Sequence, residues 1–427
     1  MTSRERIIET LNHGQPDRVA IDLGATNATG ISAVVYNKLK NLLGISGGQI
    51  RVFDIITQLA EVEPEVLDRL GGDVVMLRRL APSLGIRFKN FKPGKLTDGS
   101  DCMHAESYDP QQDENGDLVL YKITDGSDHV HPFPLTSDAA QFDKGRIVAK
   151  LPKGYHAFAR IYHPLANLET IEEFEKFGFP EVDDEEVDFL KNEAEKIYTN
   201  TNRAVCGIFG GNVFEMGQLY WGYQKFLEFL LLEPEMMQRY FEKRTAVLLR
   251  DLEKYLSAVG KYINIINFWD DLGTQSSLVI SPELYRNAVK PFHAKMFDFI
   301  KKNYPDIKIF LHSCGAIYDL IPDFIEIGVD ILNPVQITAN GMDPARLKRE
   351  FGSRIVFWGG GVDTQRVLNS GTVADVKKMS KEMLDIFAPG GGYVFSQVHN
   401  IDAGVPAENV LAAFETALMY GTGNLTL

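Results

Sequence analysis

Cysteine is scarce: the 427 residues include three, at 102, 206 and 314. An odd, scattered set makes no disulfide framework, so a reducing, cytoplasmic setting is expected. No apolar run approaches the roughly 18 residues that span a bilayer. The opening Met1-Thr-Ser-Arg-Glu-Arg has none of the apolar character of a secretory signal. Positive charge is also short, with 44 Lys and Arg against 58 Asp and Glu and a formal net charge of −14. Nucleic acid and anionic membrane, which select basic patches, are therefore excluded as main partners. A small anionic substrate stays open, because a few local arginines suffice to bind one. Internal repeats and low-complexity tracts are missing. No G-x-G-x-x-G follows the first strand-like run, which speaks against a dinucleotide-binding sheet.

What is present is a regular alternation. Nearly continuous apolar runs fall at 19–23, 73–77, 204–209, 263–268, 308–312, 329–333, 355–358 and 392–396. Unbroken runs of this length suit parallel strands buried on both faces. Helical patterns separate them, notably 233–256, 375–387 and the stretch opened by Ser281-Pro282-Glu283, where an N-cap, a first-turn proline and an early acid coincide. Eight βα units predict an α/β fold, a (β/α)₈ TIM barrel, with a doubly wound sheet as the rival. The interval 81–200 is too long for one connection. It reads as an insertion between strands 2 and 3 that caps a single barrel domain spanning 1–427. Within it, Glu114-Asn115-Gly116-Asp117 marks a β-hairpin and 183–199 a helix.

In barrels the chemistry gathers at the C-terminal strand ends. His312-Ser313-Cys314-Gly315 closes the fifth strand, where residues two apart share a face. An imidazole and a thiolate side by side suit Zn²⁺, with a buried thiol beside a core histidine as the plain alternative. A catalytic zinc usually takes three protein ligands. His399, after strand eight, and Glu215, after strand three, are the candidates for the third. Asp270 and Asp271, after strand four, are candidates for acid–base or ligand-orienting work, with helix capping as the alternative. Asn333 and Gln336 offer polar contacts to a substrate. Trp358 and Phe214, with Trp269 and Phe268, offer an aromatic wall, or simply fill the barrel. The glycines at 359–361 and 390–392 read as turns, with phosphate binding the alternative. The acid-rich stretch 181–195 reads as a solvated helix face. His104, His129 and His131 of the insertion are left unassigned.

Taken in order, several segments resemble the uroporphyrinogen decarboxylase superfamily over nearly the whole chain. They are Pro16-Asp17-Arg18-Val19, Gly207-Ile208-Phe209, Asp270-Asp271-Leu272-Gly273, Ser281-Pro282-Glu283-Leu284-Tyr285, Gly328-Val329-Asp330-Ile331-Leu332-Asn333-Pro334-Val335-Gln336, Gly360-Gly361-Val362-Asp363-Thr364-Gln365, and His399 with Val405-Pro406-Ala407-Glu408-Asn409. The resemblance implies a (β/α)₈ barrel. The decarboxylase proper holds substrate carboxylates with an R-Q-A-G-R segment. Here the corresponding loop, Asp22-Leu23-Gly24-Ala25-Thr26-Asn27-Ala28-Thr29-Gly30, has no arginine, although Asp54 echoes the catalytic aspartate. The pair His312 and Cys314 resembles the zinc-binding H-x-C of the corrinoid-dependent methyltransferase branch, which includes methylcobamide:coenzyme M methyltransferases. In that branch a later cysteine completes the site; here His399 stands at the aligned position. The corrinoid-binding D-x-H-x-x-G is missing, so a corrinoid would arrive on a separate protein.

The resulting expectation is a zinc-dependent methyltransferase that works between a small methyl donor or acceptor and a corrinoid protein. Uroporphyrinogen decarboxylation through Asp54, without a metal, is the alternative activity. A non-catalytic corrinoid-protein-binding homologue is the alternative class. A homodimer is left open by the exposed helix faces of a barrel.

Overall fold

A computed structural model describes residues 1–82, 84–124, 141–160 and 162–420. Eight parallel strands form one sheet: β1 (Ala20–Ile21), β2 (Val74–Leu77), β3 (Ala204–Gly210), β4 (Ile265–Trp269), β5 (Lys308–His312), β6 (Ile331–Asn333), β7 (Val356–Trp358) and β8 (Tyr393–Phe395). Each pairs with the next from β2 to β8, and β1 returns to β8 with Ala20 opposite Val394. The arrangement is the expected (β/α)₈ barrel. All eight apolar runs are strands, and their alternation explains why they are apolar throughout. Ala204, Cys206 and Ile208 point into the barrel with Ile265, Phe310, Ile331, Val356 and Trp358. Val205, Phe209, Ile266, Ile309 and Phe357 point out, against the helices.

The seam between β1 and β2 is closed by a side chain as well as the backbone. The Asp73 amide donates to the Ile21 carbonyl at 2.8 Å, and the Ile21 amide donates to the Asp73 carboxylate at 3.0 Å. Asp73 is fully buried and takes Arg6 at 2.7 Å and Arg18 at 2.8 Å. Arg18 of the Pro-Asp-Arg-Val segment therefore locks the barrel. Helix Ser3–Leu11, opened by a Thr2/Glu5 capping box, crosses the N-terminal strand ends and turns Ile7 and Leu11 into the inner core.

Between β2 and β3 lie a hairpin (Phe91–Lys95 with Asp101–Ala105), a four-stranded antiparallel sheet and the helix Asp184–Asn200. The Asn-Gly turn joins Gln111–Gln112 to Leu118–Thr124, with Gly116 at φ 83°. His104 is buried in the first hairpin, 3.2 Å from the Cys102 sulfur. His129 and His131 lie outside the described residues. The acid-rich helix is not wholly solvated: Glu186 is buried and pairs with Arg79, while Glu185 pairs with Arg87.

After β4, Ser281 caps as the sequence implies, its side chain accepting from the Leu284 amide. The helix is not one regular repeat, however. A π turn, Tyr285–Val289, precedes Lys290–Asn303. Pro291 lacks the N–H that a regular ladder would need, and widening the preceding turn accommodates it.

Candidate active site

A cavity of about 500 Å³ opens at the C-terminal strand ends. Its lining draws on the loops after β1 (Asn27, Asp54), β2 (Arg78, Arg79), β3 (Asn212, Glu215), β4 (Trp269, Asp271), β5 (His312) and β8 (His399, Asn400). Among the described residues one group has metal-ligand geometry: donor atoms of His312, Cys314 and His399 lie within 4.8 Å of one another.

Each of the three is fixed by its surroundings. Asn333 at the end of β6 donates to the Trp358 carbonyl at 2.9 Å, which leaves its amide oxygen facing His312 Nδ1 at 2.6 Å. His312 therefore carries its proton on Nδ1 and turns the Nε2 lone pair toward Cys314 Sγ, 3.1 Å away. The Cys314 amide donates to Asp271 at 2.8 Å, and the Gly315 amide to Gln336 at 2.9 Å. Gly315 sits at φ 89°, and a Cβ there would meet the backbone of Gly273 at 2.5 Å. The glycines of Asp-Asp-Leu-Gly and His-Ser-Cys-Gly thus let the β4 and β5 loops pack backbone to backbone.

His399 has φ 64°, a left-handed conformation that costs about 1 kcal/mol for a residue with a Cβ. The neighbouring chain holds it there. Gln397 donates to the Thr29 carbonyl, the Val398 amide to Val362, and the Ile401 amide to Gly30. Gly361, whose Cβ would meet the Phe395 ring at 2.5 Å, lets the β7 loop lie against this segment. Gly361 therefore supports the His399 loop, while Gly359 and Gly360 let the same turn pack on the backbone of Pro334 and Val335 after β6.

Electrostatics favour a cation at the cluster. Burial lowers the pKa of His399 to about 4, so its ring is neutral and a lone pair is available. Burial, with Asp271 and Glu215 nearby, holds the Cys314 thiol well above its usual range. A thiolate here needs a positive partner, and two neutral imidazole nitrogens with one sulfur form a donor set that Zn²⁺ accepts. Asp271, 3.6 Å from His312 Nε2, and Glu215 add negative charge without entering the trio.

Other expected site residues take other places. Asp270 is fully buried and does not reach the cavity. Its carboxylate accepts from the amides of Val213 (2.8 Å), Phe214 (3.0 Å) and Glu215 (2.6 Å), and from His293 at 2.8 Å. It caps the helix Phe214–Trp221 and so positions Glu215. Phe214 faces away from the cavity and packs against Phe226 at 5.4 Å between centroids. Trp358 fills the barrel, its indole donating to buried Asp22 at 2.8 Å. Neither forms a cavity wall; Trp269 does. Asn333 and Gln336 serve the His-Ser-Cys-Gly turn, and neither lines the cavity. Asp54 is on the wall, its carboxylate accepting from Asn27 at 2.7 Å and from the Ile56 amide at 2.8 Å.

Sequence reasoning missed the cavity's arginines. Arg78 and Arg79 directly follow β2, a strand-end position that could have drawn notice. Arg244 lies on the buried stripe of helix Pro234–Val259, in line with Tyr240, Leu248 and Tyr255. A cation on an apolar stripe was the available signal.

Comparisons with known proteins agree with this architecture. A methyltransferase from Methanosarcina mazei superposes with a TM-score of 0.57 at 15% identity, covering 98% of this chain and 99% of its own. Uroporphyrinogen decarboxylase from Prochlorococcus marinus (strain MIT 9515) is 24% identical over 175 residues, 38% of this chain. Uroporphyrinogen decarboxylase 2, chloroplastic, from Oryza sativa subsp. japonica is 23% identical over 198 residues, 46% of this chain. The chain spans about half the length of these curated relatives, 46% of each. No helix among the described residues is long and apolar enough to cross a membrane. The sequence model of the uroporphyrinogen decarboxylase (URO-D) family matches residues 146–420, more than half of the chain, and the protein belongs to that family.

Proposed function

We propose that the protein is a zinc-dependent methyltransferase that moves a methyl group between a small molecule and a corrinoid carried on a separate protein. The observation that carries this reading is the convergence of His312, Cys314 and His399 within 4.8 Å, with the two histidines on the cavity wall. The fold shared with a protein described as a methyltransferase supports it. Zn²⁺ held by these three residues supplies a Lewis acid that lowers a thiol's pKa or polarises a methyl-bearing leaving group. Asn333 fixes the His312 tautomer, and Asp271 orients the Cys314 backbone.

A specific observation keeps decarboxylation as the second reading: Asp54 shares the wall with Arg78, Arg79 and Arg244. Against it, Arg78 is tied to Glu61 and Arg79 to Glu186, which leaves few cations for a substrate with many carboxylates. One assay separates the two. Methylcobalamin stands in for the corrinoid protein, and small thiols are offered as acceptors. The expected result is loss of the methyl–cobalt absorbance that depends on Cys314. Absence of demethylation, with uroporphyrinogen decarboxylated instead, would favour the second reading.

A further inference from the structure

Of the three arginines that line the cavity among the described residues, two already have anionic partners. Arg78 pairs with Glu61 over the Phe88 ring, and Arg79 pairs with Glu186 while donating to the Phe209 carbonyl at 3.3 Å. Arg244 differs. It is 7% exposed and lines the cavity, it forms no ion pair among the described residues, and its Nε has no hydrogen-bond partner. The neighbouring acids make no direct ion pair with it among the described residues, although Asp251 lies near enough to act on it through its charge. Asp251, two turns along the same helix, accepts the Val182 amide at 2.8 Å, and burial raises its pKa. Glu181 pairs with Arg250, and Glu186 with Arg79. Around the guanidinium stand the Phe179 ring, at 5.7 Å, and buried Tyr220 and Tyr240.

A guanidinium removed from bulk water without a counter-charge is costly, and its planar fork matches a carboxylate, sulfonate or phosphate oxygen pair. The acids Asp271 and Glu215 sit instead with the His312–Cys314–His399 cluster. The cavity therefore carries anions beside the trio, and at Arg244 a buried cation with no direct ion pair among the described residues and an unpartnered Nε.

We propose that Arg244 anchors the anionic group, a carboxylate or a sulfonate, of an elongated substrate whose other end lies at His312 and His399. The proposal rests on the reading of this cavity as the substrate site, but not on zinc. It makes the substrate an anion-tailed small molecule and Arg244 the residue that selects it.

Fluorine NMR titration of the full-length protein tests it with three probes of similar apolar body: 4,4,4-trifluorobutyrate, 3,3,3-trifluoropropane-1-sulfonate and neutral 4,4,4-trifluorobutan-1-ol. In the wild type at least one anion is expected to bind about tenfold more tightly than the alcohol, as a charge-assisted fork implies. Which anion gains more identifies the tail. Arg244→Gln should bring that anion to the alcohol's affinity and leave the alcohol unchanged. Arg244→Lys, which keeps the charge and loses the fork, should weaken the anion about threefold and remains informative if the glutamine variant does not fold. The same titrations on Cys314→Ala separate the two readings. Anion preference that persists there and is lost in Arg244→Gln supports the anchor whether or not zinc binds. Preference that survives Arg244→Gln and vanishes in Cys314→Ala, or no preference in the wild type, overturns it.

Discussion

At the scale of single residues, the site depends on side chains that never meet the cavity. Asn333 is the clearest case. Its amide is clamped between the Trp358 carbonyl and His312 Nδ1, so the imidazole has one available tautomer and one free nitrogen. Asn333→Leu removes the clamp while preserving bulk. Zinc affinity, measured by competition with a chromophoric chelator, is expected to weaken 10- to 100-fold, as for other partners of metal-ligating histidines. Unchanged affinity would show that the tautomer is set otherwise. His312, Cys314 and His399 were legible in the sequence because two-residue spacing on a strand and position after a strand are local facts. Asn333 was read as a substrate contact because its partner lies on another strand. Arg244 was not read at all, since only packing shows that its helix face borders the cavity.

At the scale of elements, one carboxylate organises two barrel loops. Asp270 follows β4, yet it caps the helix Phe214–Trp221 that follows β3 and also holds His293 of the helix Lys290–Asn303. Asp270→Ala would leave three amides and a buried histidine without their acceptor. A loss of about 3 kcal/mol is expected, since both a cap and a buried polar network are broken, and denaturant unfolding would read it. A loss below about 1 kcal/mol would mean that water or a neighbour takes over the carboxylate's role. Position after a strand points to helix capping for this residue, and capping is what it does. The true partner lies more than fifty residues upstream, and sequence distance hides it. The eight strands were legible for the opposite reason. Burial on both faces writes an apolar run directly into each one, whereas the π turn before Pro291 is a local compromise that leaves the helical pattern intact.

At the scale of the whole molecule, closure of the barrel brings the parts of the site together. The β1–β2 seam depends on Asp73, which stands in for a ladder position and binds Arg6 and Arg18. Asp73→Ala leaves Arg18 without its carboxylate and Arg6 with Asp17 alone, and should cost about 3 kcal/mol, again read by denaturant unfolding. A shift under 1 kcal/mol would show that the backbone bond alone closes the sheet. Of the cap, the Asn-Gly hairpin and the helix after Asp183 are legible because a turn and an N-cap are local signals, whereas the Phe91–Lys95 hairpin follows from a pairing that no single segment encodes. The closed barrel sets β5 beside the loop after β8, so His312 and Cys314 meet His399 across 85 residues of sequence. The most direct test of that assembly is elemental analysis of the protein purified with zinc available, beside the His312→Ala/Cys314→Ala variant. The account predicts about one zinc per chain, lost in the variant while the fold is kept. A wild type without metal, or a variant that retains it, would contradict the proposed centre.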